Sequence, residues 1–161
     1  MQDIMAYDEA HYFDIGTSET PDIVLGGVIT QLDENSNPTE SEKQYIGDKS
    51  KTVKVTGYSN EFPITADLVK GDEVCEHFYE IFTERKTGTD ALVTHYIVEL
   101  WNEVSPGVYK ARKITQSVII TGKVANPGEQ ITFTGSLKGG EFVDGTFNVS
   151  TKTFTETATS L

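Results

Sequence analysis

The sequence predicts a mainly β protein: an antiparallel β-sandwich or barrel-like domain with one flanking amphipathic helix at about 72–86 and a long polar loop at about 33–50. Three observations carry this reading. From residue 52 onward apolar residues recur mostly with a period of two, as strands require. Turn residues separate the runs at Ser105-Pro106-Gly107, Asn126-Pro127-Gly128 and Gly139-Gly140. One segment alone switches to the helical period. The chain has 161 residues, the length of a single domain over 1–161. That is enough to bury roughly 70% of the surface the unfolded form exposes, with no disulfide or metal required.

The first third is set apart by charge. Residues 1–48 hold eleven acids against one base, Lys43, whereas the remaining 113 residues are close to neutral. Within it, residues 33–50 are dense in Asn, Ser, Pro and Glu and almost lack apolar side chains. Such a stretch buries too little surface to offset the entropy of ordering its own backbone. Two readings stand: a solvated loop, or an arm that orders against a neighbouring subunit.

The strands follow. Ile131, Phe133, Gly135 and Leu137 point one way while Thr132, Thr134 and Ser136 point the other. Leu92, Tyr96, Val98 and Leu100 share a face, as do Ile114, Val118 and Ile120, and Val143, Phe147 and Val149 continue the pattern. Repeated strands joined by short turns imply an antiparallel arrangement. The helix at 72–86 packs through Val74, Phe78, Ile81 and Phe82, with Cys75 widening the stripe. Asp72 and Glu73 suit its N-terminus, Arg85 and Lys86 its C-terminus, and Gly88 supplies a stop.

Little in the chain points to chemistry. Cys75 is the one cysteine, so no internal disulfide forms; it is expected to be a small buried hydrophobe, since Cys75 and His77, two apart on a helix, point in different directions. His11, His77 and His95 form no metal-binding spacing, and His95, mid-strand among Val93 and Ile97, reads as a structural histidine. Asp33, Asn35 and Asn37 resemble the opening of a calcium loop. The match fails where Pro38 replaces the turn glycine and Gln44 the bidentate glutamate. No nucleophile elbow, phosphate loop or dinucleotide fingerprint occurs. The expectation is a non-enzyme with no cofactor and no metal. No apolar run approaches the roughly 20 residues of a membrane span, and no basic-then-apolar leader is read, so no membrane partner is expected. The net charge of -12 argues against gripping a phosphate backbone. An alternative function, a carbohydrate- or surface-binding sandwich within a larger assembly, would use Trp101 and Tyr109 as an aromatic platform.

The central block, residues 47–91, resembles the major tail tube proteins of long-tailed bacteriophages and prophages of Gram-positive bacteria. The likeness rests on Asp48-Lys49-Ser50 leading into Thr56-Gly57-Tyr58, then Glu61-Phe62-Pro63, Asp67-Leu68-Val69-Lys70 before the helix and Gly88-Thr89-Asp90-Ala91 after it. Val98-Glu99-Leu100-Trp101, Ala111-Arg112-Lys113, Gly145-Thr146-Phe147 and Thr151-Lys152-Thr153-Phe154-Thr155 continue it in order, over about 28–155. The resemblance implies a virion tail protein, assembled in the host cytoplasm, whose partners are itself, in hexameric rings stacked into a tube, together with the tape measure protein, the tail terminator and the distal tail protein. DNA would pass through the lumen without specific binding. The segment 33–50 falls where the family places its inter-ring loop, which puts contacts at Asp33, Glu34, Asn37, Glu40, Glu42, Tyr45, Asp48 and Lys49, and residues 1–25 are read as an N-terminal arm.

Overall fold

The computed structural model describes residues 1–17 and 19–157. In chain order the strands are β1 (Glu9–Asp14), β2 (Ile23–Leu25), β3 (Ile29–Leu32), β4 (Thr39–Lys43), β5 (Thr52–Gly57) and β6 (Glu61–Asp67). After the helix α1 (Glu73–Thr83) come β7 (Leu92–Ser105), β8 (Val108–Val124), β9 (Thr132–Lys138), β10 (Val143–Asn148) and β11 (Thr153–Glu156). Nine strands form one sheet along the path β2-β1-β7-β8-β9-β6-β3, with β10 and β11 branching from β8. Every strand pair is antiparallel. The result is a sandwich-like fold with a flanking helix and no closed barrel.

The branch arises because β8 is 17 residues long and changes partner along one edge. Val108–Lys113 pairs with β10, and Ser117–Val124 pairs with β9. Between β9 and β10 the chain steps away at Gly139 and Gly140, whose φ values of 89° and 80° are open to glycine at no steric cost. At Gly140 a Cβ would also strike the carbonyl oxygen of Thr115. Below this step the sheet continues into β6 and β3; above it, into β11.

The far ends of the sheet, β2 and β3, are joined only by Gly26, Gly27 and Val28. Four Cα steps span at most about 14 Å, so the sheet must curl until its ends approach. A layer of apolar side chains fills the curl: Phe13, Phe62, Ile64, Val93, Ile97, Phe133 and Leu137 meet Val74, Cys75, Phe78 and Ile81 of the helix. A second cluster of Tyr12, Tyr96, Val98, Ala111 and Phe147 lies beneath the β10–β11 branch. Strand β7 therefore buries both faces between Val93 and Val98, rather than only the one carrying Tyr96 and Val98. Leu92, expected on that inward face, is exposed.

The helix begins where its cap dictates: the Asp72 carboxylate accepts from the Cys75 N–H at 2.9 Å. It ends at Thr83, earlier than the sequence suggested, and Gly88 is not its stop. Arg85 takes the left-handed position with φ 54°. The Lys86 N–H then reaches the Ile81 carbonyl at 3.1 Å and the Arg85 N–H the Phe82 carbonyl at 3.3 Å, a Schellman closure that normally favours glycine. The Arg85 guanidinium compensates by donating to the Phe82 carbonyl at 3.0 Å and lying over the Phe82 ring.

Two further segments differ from expectation. Part of the polar stretch 33–50 is not loop: Thr39–Lys43 pairs with β5 as a separate two-stranded sheet. Of the N-terminal stretch 1–25, β1 and β2 belong to the main sheet, while residues 1–5 have no regular structure.

Gly135 pairs with Ile64 on one side and Ile120 on the other, and a Cβ there would strike the backbone of Ile119. Gly135→Ala is expected to lower stability in urea by about 1–3 kcal/mol, because the centre of the sheet has no slack to accept a methyl group.

Candidate assembly surfaces

The most conspicuous surface feature is the β4–β5 hairpin. It extends from the body as an arm, and every residue of β4 and β5 except Gly57 is exposed. Its two strands make their extensive contacts only with each other. The register places Glu40 opposite Val55 and Glu42 opposite Val53, so those four share one face. Lys43, Ser41, Thr52 and Lys54 form the other. The turn is closed by Asp48, which accepts from the Tyr45 N–H at 3.1 Å and donates its own N–H to the Tyr45 carbonyl at 2.9 Å. Tyr45 and Ile46 are left bare at the tip.

The root of the arm is firmly tied. Asn35 and Glu61 exchange backbone hydrogen bonds of 2.8 and 2.9 Å. The Asn37 amide donates to the Ser59 carbonyl at 3.0 Å, and the Ser59 N–H to the Ser36 carbonyl at 2.9 Å. Arg112 of β8 grips Glu34 with two bonds of 2.7 and 3.0 Å while its guanidinium lies 4.5 Å over the Phe142 ring. This fork-to-fork geometry is the strongest ion-pair arrangement available to a surface. Asp33 accepts from the Gln31 amide at 3.0 Å.

The residues singled out from the sequence thus divide between root and arm. Asp33, Glu34 and Asn37 are root residues with partners inside the subunit; Glu40, Glu42, Tyr45, Asp48 and Lys49 are exposed on the arm. The exposed pair Lys51–Glu42, at 3.3 Å, contributes little to stability. Sequence reasoning missed Ile46, Lys51, Val53, Lys54 and Val55, the other half of the same arm. Of the helix residues, Val74, Phe78 and Ile81 are buried and Phe82 half-buried.

A second feature lies where the sheet fails to close. Between β1–β2 and β3 is a cleft of about 590 Å³, lined by Tyr7, Leu25, Ile29, Leu32 and Leu100 with Glu9 and His11 among them. Behind it His11 links surface to core: its Nε2 is 2.9 Å from Glu9 and its Nδ1 2.9 Å from Nε2 of His95. The hydrogen bond from His11 holds the Glu9 carboxyl below its ordinary range. With Nε2–H given to Glu9, a neutral His11 presents a bare Nδ1, so His95 donates to it. His95 is completely buried, stacked 4.5 Å from Phe13 and edge-on to Phe62, and its Nδ1 has no partner. Burial drives its pKa well below the normal histidine value, reinforced by the positive charge of Arg112. It is a structural histidine, satisfied at one nitrogen only.

Among the described residues, no group of three or more His, Cys, Asp or Glu side chains is placed to hold a metal ion. The Cys75 thiol is buried, donates to the Asp67 carbonyl at 3.2 Å and is pushed up in pKa by that burial, the opposite of an activated nucleophile. Trp101 is 40% exposed, but among the described residues it pairs with no other ring.

No protein-family model matches the chain, and no curated protein matches it in sequence. Solved structures do share its fold. A chain of the anti-feeding prophage (AFP) baseplate, from a 6-fold symmetrised cryo-EM structure, superposes with a TM-score of 0.53 at 10% identity, covering 92% of this chain and 98% of that one. A chain of the tail of an empty GTA particle, refined helically with C6 symmetry, gives 0.55 at 7% identity, covering 87% and 97%. At such identities the likeness is one of fold.

His95 sets a pH dependence. Unfolded, it takes up a proton near pH 6.5; folded, it resists protonation until far lower pH. The unfolded state therefore binds more protons below about pH 6.5, and stability falls as pH drops from about 6.5 toward 5, by up to about 1.4 kcal/mol per pH unit. His77, also lowered by burial, adds in the same direction. Urea titrations at pH 7.5 and 5.5 are expected to show this loss in the native protein and a flatter profile in His95→Phe, whatever that variant's absolute stability.

Proposed function

We propose that this chain is a structural tail protein, a tube subunit of a long-tailed phage or tail-derived particle, which self-associates into hexameric rings stacked around a hollow axis. The observation that carries the reading is the free-standing arm. An isolated two-stranded hairpin is marginally stable at best in water, because it has no second layer on which to bury a face. Here the arm offers bare Val53 and Val55 along one side and Tyr45 and Ile46 at its end. Such a ribbon gains its missing layer from another subunit. The reading places the arm between rings, as the tie that holds one to the next.

Ring closure has support in the open edges of the sheet. Among the described residues, strands β2, β3 and β11 each leave one side without a partner strand. Unpaired edges invite pairing with another chain, and a ring removes them by closing on itself. The shared fold with chains from six-fold assemblies fits this geometry.

Charge supports the role of a conduit. Residues 43–54 carry four lysines against Asp48, a net +3, so the remainder of a chain of net -12 carries -15. An acidic wall repels phosphates and lets DNA slide past without binding. The partners on this reading are other copies of the chain, with the tape measure, tail terminator and distal tail proteins, in a virion tail assembled in the host cytoplasm.

Because Ser36 and Ser59 are hydrogen-bonded across the root, the arm can be excised cleanly. Replacing residues 39–57 by a short Gly-Ser turn is expected to leave cooperative unfolding and circular dichroism of the body intact while abolishing tubes in negative-stain electron microscopy. Long tubes formed by that variant would overturn the bridging role.

A further inference from the structure

We infer that the arm of one subunit seats in the open cleft between β1–β2 and β3 of a second copy, with Tyr45 and Ile46 as anchors and the arm's lysines on the acidic rim. The inference rests on the tube reading above and specifies which surface receives the arm.

The occupant is identified by shape, polarity and charge together. The cleft exists because β2 and β3, at opposite ends of the sheet, approach without pairing. It therefore combines apolar walls with two rows of unpaired backbone groups, a setting suited to an extended or hairpin segment. Its volume of about 590 Å³ is in the range that holds a few large side chains. The arm's tip presents two such side chains to solvent, Ile46 without cover and Tyr45 with only the Lys43 ammonium of the same arm over its ring.

Charge decides between this cleft and the groove between α1 and β8. The groove between α1 and β8, about 510 Å³, is bordered by Lys86, held by Glu80 and Glu84, and by Arg85, which has no carboxylate partner among the described residues and repels the cationic half of the arm. The rim of the β1–β3 cleft carries the opposite sign. Glu9 lines it, Asp8 precedes Glu9 in the chain, and Glu99 lies opposite Glu9 in register. Asp33 follows β3 at its other end. The nearby cation, Arg112, is already held by Glu34. A strip of the chain with net charge +3 is attracted to this acidic rim of a sister subunit.

Disulfide trapping in assembled tubes tests the contact. The double variant Ile46→Cys, Gln31→Cys keeps Cys75, which is buried and unreactive, and each single variant serves as a control. Oxidation of double-variant tubes is expected to give a ladder of covalent oligomers on a non-reducing gel, with at most dimers from the single variants. Tubes of the double variant that run as monomers would overturn this contact and leave the tube reading standing, whereas wild-type protein that forms no tubes would overturn both. Should the double variant fail to assemble, hydrogen exchange on unmodified protein gives the answer. Assembly is expected to slow exchange at least tenfold both in the arm tip, residues 44–51, and along 23–32. Protection of the tip with 23–32 unchanged would overturn the proposal.

Discussion

The fold depends on the double pairing of β8. One edge of this strand is committed to β7, while the other is divided between β9 and β10. Both core clusters are therefore organised around the β7–β8 pair, with Val93 and Ile97 facing the helix-covered layer and Tyr96, Val98 and Ala111 facing the branch. A strand buried on both faces cannot shift register by one residue without exchanging two sets of contacts at once. The Gly139–Gly140 step makes the division possible. These glycines let the chain leave one partner and resume with another while the hydrogen-bond ladder of β8 continues, and the rest of the architecture follows from that.

The unclosed sheet and the projecting arm are complementary departures from a self-contained domain. A barrel that closed would leave no cleft, and a β3–β6 connection of ordinary length would leave no arm. Instead, the connection is long, polar and rooted by Arg112 and Asn35, and the body keeps exposed backbone beside β2 and β3. Each feature costs stability in the isolated subunit. Pairing with another chain would recover both costs.

Much of this architecture was legible in the chain. The alternation through 131–137 matches a strand with Phe133 and Leu137 inward, and the four-residue spacing of Val74, Phe78 and Phe82 marks the helix. What could not be read has physical reasons. Thr39–Lys43 contains no apolar residue, so no pattern of burial betrays a strand whose only support is a ladder to its partner. Val53 and Val55 carry the signature of inward-facing residues, yet face solvent because the arm has no interior. The helix ends at Thr83 because a Schellman closure can be made with a non-glycine residue, Arg85, when its guanidinium finds its own acceptor nearby. The bond between His11 and His95 joins residues 84 apart in sequence, with no spacing that a motif could capture. The arm was visible as a polar segment, but its second half was hidden inside what reads as an ordinary strand.

The root of the arm also fixes where mechanical load enters the body. Asn35 passes tension to β6 through its bridge to Glu61, and Glu34 passes it to β8 through Arg112. β6 and β8 flank β9 and are hydrogen-bonded to it along most of its length, so the two routes converge on one strand gripped from both sides. A pull on the arm would be shared among many backbone bonds strained in parallel, rather than peeling them one at a time.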